Sequence, residues 1–159
     1  MSAGQARARG FTLIEMMITV VIIAILSAIA YPNYREHIAR GKRAQAKASL
    51  AQAQQWLERH YSENYSYAKT ADGTDINAAG GVFKTQFSTS PLPGEGAANY
   101  NIALTPNDKG TGYTLKAVRT GSMGGDRCGD YVVTHTGRKS VENYTGFSAA
   151  LAAASACWN

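Results

Sequence analysis

Arg9-Gly10-Phe11-Thr12-Leu13-Ile14-Glu15 opens an apolar run that continues to Ala30, and Glu15 is the only charged residue between Phe11 and Ala30. Those 20 residues make about 30 Å of helix, the thickness of a bilayer's hydrocarbon core. An ionisable group inside a bilayer costs about 2.5–3.5 kcal/mol on insertion scales, so by default it marks a function and has a partner. The preceding stretch, Met1 to Gly10, carries Arg7 and Arg9 and no acid. It does not read as an ordinary secretory signal, whose cleavage site lies beyond the apolar region. Here the only plausible cut precedes the apolar run, at Gly10, so the hydrophobic segment stays in the mature chain. A plain single-pass anchor with Glu15 snorkelling to the interface is the alternative, and it leaves the Gly10-Phe11 junction unexplained.

At these residues the chain resembles type IV prepilins. That family's processing motif is a glycine, a hydrophobic first mature residue that is usually Phe, and a glutamate four positions later. Gly10, Phe11 and Glu15 match it, with Thr12-Leu13-Ile14 filling the gap. The resemblance implies cleavage after Gly10 by a prepilin peptidase/methyltransferase and N-methylation of Phe11, which keeps the amine's charge. It also implies that Glu15 pairs with the N-terminal amine of a neighbouring subunit during assembly. In a packed filament core such a pair fixes register, and removing one partner strands a buried charge at about 3–5 kcal/mol. Implied partners are other pilin subunits and the inner-membrane pilus assembly machinery. The motif covers pilins and pseudopilins alike.

The chain has 159 residues, 16 Lys and Arg against 11 acids, and a net charge of +5, which falls to +3 once Arg7 and Arg9 leave with the leader. That is mildly basic and by itself no argument for nucleic acid. Cys128 and Cys157 are an even pair in a chain read as exported, and read as a disulfide. Two reduced thiols in a cytosolic domain are the alternative. The charge order opposes export: Arg35, Arg40, Lys42 and Arg43 follow the apolar run, and the positive-inside rule alone would hold the larger part in the cytoplasm. The resemblance decides the other way. It implies an inner-membrane protein with a cytoplasmic N-terminus and periplasmic C-terminal domain before assembly, and a cell-surface pilus after it.

Beyond the leader (1–10) and the membrane and filament-core segment (11–30), residues 31–61 read as an amphipathic continuation of the helix. Pro32 removes one backbone bond, and Ala46, Leu50, Ala53, Leu57 and Tyr61 recur at three- and four-residue steps, with Trp56 and His60 flanking. Glycine and proline punctuate 62–98, which reads as a long loop. Within 99–159, Tyr100/Ile102/Leu104, Tyr113/Leu115/Ala117 and the run Asp130–Thr136 read as strands. The fold class expected is α+β: a long N-terminal helix packed on a small antiparallel sheet, the pilin fold. Gly112-Tyr113-Thr114-Leu115, Asp126-Arg127-Cys128-Gly129, Thr136-Gly137-Arg138-Lys139 and Cys157-Trp158 resemble PilE-like type IVa minor pilins. The alanine-rich stretch 144–156 departs from that pattern and has the composition of a short helix.

Catalysis finds no foothold. His37, His60 and His135 are scattered, no nucleophilic triad or metal-ligand cluster stands out, and Asp126 and Asp130 are too few for a calcium cage. No catalytic residue, cofactor or metal is expected. The preferred reading is a structural or minor subunit of a type IV pilus, serving adhesion, twitching motility or DNA uptake. The alternatives are a type II secretion pseudopilin and a DNA-binding competence pilin. For the last, Lys116, Arg119, Arg127, Arg138 and Lys139, with His135 near them, are the candidate contacts. A solvated basic face is the plainer account of them.

Overall fold

A computed structural model describes residues 11–159, so Gly10 and the leader lie outside the described residues. Helix α1 runs Leu13–Asn64. Thr12 starts it: its hydroxyl accepts the Glu15 N–H at 3.3 Å, and its carbonyl accepts the Met16 N–H at 3.2 Å. This is the side-chain cap that an N-terminal turn needs for one of its orphan donors. The helix includes Pro32 and ends three residues later than the sequence pattern places it.

The chain divides into two compact units between Ile38 and Ala39. In the first, the apolar side chains are exposed, from Leu13 at 78% to Ile29 at 64%. Two of its polar side chains bond back to the helix, Thr19 donating to the Met16 carbonyl and Asn33 to that of Ile29. A helix with internal backbone bonds and an apolar exterior is a structure suited to lipid or to packing against other apolar helices.

The second unit, Ala39–Asn159, is α+β. It holds the rest of α1, then α2 (Val82–Phe87), β1 (Thr89–Ser90), β2 (Tyr100–Pro106), β3 (Tyr113–Arg119), a 3-10 turn (Gly121–Met123), β4 (Asp130–Thr134), β5 (Lys139–Glu142) and α3 (Ala150–Trp158). The five strands form one antiparallel sheet in chain order. Ile102 stands opposite Ala117, and Leu115 opposite Val133. Side chains alternate between faces along a strand. One face presents Tyr100, Ile102, Leu104, Tyr113, Leu115, Ala117, Tyr131 and Val133 to the core, where Ala46, Leu50, Ala53 and Leu57 of α1 are fully buried.

The segment read as a loop, 62–98, consists mainly of turns and irregular chain but also carries the end of α1, α2 and β1. Phe83 and Phe87 of α2 are buried, and both rings lie 5.9 Å from that of Trp56. His60 is buried too: it stacks on Trp56 at 5.0 Å, and its Nε2 lies 3.1 Å from the Lys69 carbonyl, tying the loop's start to α1. The third predicted strand ends at Thr134 rather than Thr136, because the chain turns there into the β4–β5 hairpin. β5 is an element the sequence pattern does not reveal. The alanine-rich stretch does contain a helix, α3, fixed by three ties. Cys157 is bonded to Cys128, the Trp158 indole donates to the Ser140 carbonyl, and the Tyr131 hydroxyl donates to the Cys157 carbonyl.

Candidate assembly and nucleic-acid interfaces

Glu15 sits in the first turn of α1. With Thr12 it has the Thr-x-x-Glu spacing of a capping box, of which the structure shows the half in which Thr12 accepts the Glu15 N–H, and a carboxylate in the first turn suits the helix dipole. Phe11 precedes the helix and is 74% exposed. The cleavage site at Gly10 lies outside the described residues.

The five basic candidates do not form one stripe. Lys116 lies on the sheet face away from the core, where it bonds Glu142 at 2.7 Å and approaches Asp130 at 3.7 Å. The Glu142 hydrogen bond is the main reason its pKa is raised above the usual lysine value. The guanidinium of Arg119 donates to the Asp126 carbonyl, and its backbone N–H donates to Asp130 at 3.0 Å. These two residues spend their polarity inside the fold. Arg127, Arg138 and Lys139 are exposed. Arg127 lies over the Phe147 ring at 5.6 Å, and Lys139 over Trp158 at 5.3 Å. In register, Lys139 pairs with Val133 and so belongs to the opposite sheet face from Lys116, which pairs with Val132.

Two clefts receive parts of this set. One, of about 390 Å³, lies where the β2–β3 and β4–β5 hairpins meet, and holds His135, Arg138, Asn107 and Thr136. Thr105, Thr114 and Thr134 stand opposite one another across three strands at its edge. The other, also about 390 Å³, joins Arg127 to Arg40, Arg43 and Lys47 of α1.

Asp126 organises the surroundings of the second cleft. Its carboxylate accepts Arg43 Nε at 2.9 and 3.0 Å and Nη2 at 2.5 Å, and it also accepts the Cys128 N–H at 3.1 Å. Both side chains are nearly closed to solvent, Arg43 at 8% and Asp126 at 4%. Asp130 likewise accepts Asn143 at 2.7 Å. Both aspartates are thus bonded within the fold. Lys47 is the site residue that sequence reasoning missed. The signal was present, since residues 40, 43 and 47 recur on one helix face at three- and four-residue steps.

A family model described as "Type IV minor pilin ComP, DNA uptake sequence receptor" matches residues 32–132, and another, for the prokaryotic N-terminal methylation motif, matches residues 5–31. The chain belongs to the type IV pilin family. Type IV major fimbrial protein FimA of Dichelobacter nodosus is 39% identical to this pilin over 103 residues, covering 62% of it and 61% of FimA. The matched part is thus less than two thirds of FimA's length. Type II secretion system core protein G of Pectobacterium carotovorum is 29% identical over 117 residues, covering 72% of the pilin and 71% of that protein. A solved type IV pilin from Shewanella oneidensis aligns with 76% of this chain and 97% of its own at 26% identity, with a TM-score of 0.45. Pilins are structural subunits. The N-terminal helix has the length and apolar composition to cross a membrane, which together with the methylation-motif match supports membrane anchoring.

Proposed function

We propose that this pilin is a minor subunit that serves DNA uptake, its precursor being cleaved after Gly10 and methylated at Phe11. The observation that carries the DNA reading is the match of residues 32–132 to the DNA-uptake receptor family of minor pilins. The exposed cations Arg127, Arg138 and Lys139 suit it, because phosphate contacts supply most of the affinity of a basic surface for DNA. Arg138 adds a cleft with histidine, asparagine and threonine side chains, groups that can hydrogen-bond phosphate, sugar or base edges. Lys116 and Arg119 contribute little to that surface, since both are bonded within the fold.

The precursor passes through the inner membrane with its N-terminus in the cytoplasm and its second unit in the periplasm. It then joins the filament through residues 11–30, with Glu15 meeting the neighbour's N-terminal amine and the inner-membrane assembly machinery driving extraction. A salt titration of DNA binding tests the uptake role. Three phosphate contacts give a slope of log affinity on log salt near −2.7, and reversing one charge removes about one unit of it. Affinity and slope left unchanged by the Arg127→Glu/Arg138→Glu/Lys139→Glu triple variant would remove this surface from the function.

A further inference from the structure

The basic candidates differ in what they already touch. Lys116 is bonded to Glu142 and Arg119 to the Asp126 carbonyl, while Arg127 lies over Phe147 and Lys139 over Trp158. Among the described residues, no hydrogen bond, ion pair or ring contact engages the guanidinium of Arg138. A guanidinium is a planar fork of N–H donors that matches a pair of acceptors lying side by side.

Arg138 stands on the turn between β4 and β5, where residues 135–138 are all exposed. The backbone of this turn is fixed. The Thr134 N–H donates to the Arg138 carbonyl at 3.1 Å and the Gly137 N–H to the Thr134 carbonyl at 2.8 Å, with Gly137 at φ +77°. The His135 N–H ties the turn to β3 by donating to the Tyr113 carbonyl at 3.0 Å. The His135 ring lies against Gly112, where a Cβ would come within 2.8 Å of its Cε1. Among the described residues, no acid lines the cleft beside it. Asp108 and Lys109 on the adjoining turn lie outside that lining and carry opposite charges.

We propose that Arg138 sets the sequence preference of this pilin on duplex DNA. The β4–β5 turn enters the major groove, and the guanidinium donates two N–H groups to O6 and N7 of a guanine. The major groove admits a two-stranded ribbon, and arginine on guanine is the pairing that its acceptor pattern fits. Lys139 and Arg127 stand back from the tip: Lys139 begins β5 beneath the turn, and Arg127 precedes the far end of β4. Cations so placed suit phosphate, whose contacts fix orientation and carry no sequence information. A turn with a fixed backbone brings the fork to one base pair in one orientation. The inference rests on the DNA reading and deepens it. Residues 135–138 lie beyond the stretch 32–132 matched to the DNA-uptake receptor family, so that match does not assign them.

The test uses the full-length protein in neutral detergent and a library of random-sequence duplexes, from which the tightest binders are selected. The selected duplexes share a guanine. Replacing it by 7-deazaguanine, which lacks the N7 acceptor, weakens wild-type binding about tenfold. Arg138→Gln and Lys139→Gln remove the same charge from exposed positions and separate the two roles. Arg138→Gln binds the guanine and 7-deazaguanine duplexes alike. Lys139→Gln keeps the preference, weakens both duplexes equally and lowers the salt slope by about one unit. Retention of the preference by Arg138→Gln, or a shared base other than guanine in the selected duplexes, would overturn the proposal. Wild-type binding with no sequence preference would overturn it while leaving the DNA reading intact, and failure to bind any duplex would end both.

Discussion

Removing the charge of Asp126 while keeping its shape isolates what holds the start of the second unit's helix to the turn before Cys128. In Asp126→Asn, the amide oxygen still accepts the Cys128 N–H, but Arg43 loses its counter-charge while remaining 8% exposed. Stranding a buried charge this way costs about 3–5 kcal/mol. For a unit of this size, that lowers the melting temperature by about 10–20 °C. Urea unfolding followed by tryptophan fluorescence reports the second unit directly, since Trp56 and Trp158 both lie in it. Arg43→Met by itself costs less, because the carboxylate keeps one hydrogen bond. The double variant Arg43→Met/Asp126→Asn recovers much of the loss, giving a coupling energy of about 2–3 kcal/mol. A loss below about 1 kcal/mol in Asp126→Asn, or strictly additive single effects, would show that the pair behaves as a surface ion pair and would refute the reasoning.

Other outcomes follow from particular contacts. Cys128→Ser/Cys157→Ser loses about 3–4 kcal/mol, the closure entropy of the intervening loop. Urea melts of oxidised and reduced wild type show the same difference. Gly129 has φ +70°, and a Cβ there would lie 2.1 Å from the Glu142 carbonyl oxygen. Gly129→Ala is therefore destabilised by more than about 3 kcal/mol, whereas Gly73→Ala, with φ +87° and open space around it, costs only about 1 kcal/mol in the same urea assay. Burial, aided for Tyr67 by its bond to Glu58, pushes the hydroxyls of Tyr67 and Tyr131 up to about 12. A raised folded-state pKa means stability that is complete below the unfolded value near 10 and is lost as pH climbs to about 12. Phenolate absorbance should accordingly rise for these two residues together with unfolding rather than before it. Glu15→Gln keeps the Thr-x-x-Glu/Gln capping pattern but not the charge, so filament incorporation should fail in Glu15→Gln and in Glu15→Ala alike. Incorporation of the Gln variant at wild-type level would leave capping as the residue's role.

Much of the fold was legible because its signals are local. Ala46, Leu50, Ala53 and Leu57 mark a buried helix face by spacing alone, and Tyr100/Ile102/Leu104 and Tyr113/Leu115/Ala117 alternate as half-buried strands must. α2 escaped notice because it has six residues, and its stability comes from Phe83 and Phe87 packing on Trp56, a contact no local pattern reveals. β5 offers one buried apolar residue, Val141, among charged and polar neighbours, too little alternation to register. The Arg43–Asp126 pair joins residues far apart in the chain, and only the folded sheet brings them together. For the same reason the distribution of the basic candidates over the fold is not legible from their nearness in sequence: strand register sends Lys116 and Lys139 to opposite faces. Thr12 and Glu15 show the reverse case. Their Thr-x-x-Glu spacing is local and can be read directly from the sequence.

Intact mass of the protein from purified surface pili, measured with and without reductant, tests the central claim most directly. The account predicts a chain beginning at methylated Phe11 that gains the mass of two hydrogens on reduction of Cys128–Cys157. An unprocessed chain beginning at Met1, found in the membrane and absent from the filaments, would contradict it.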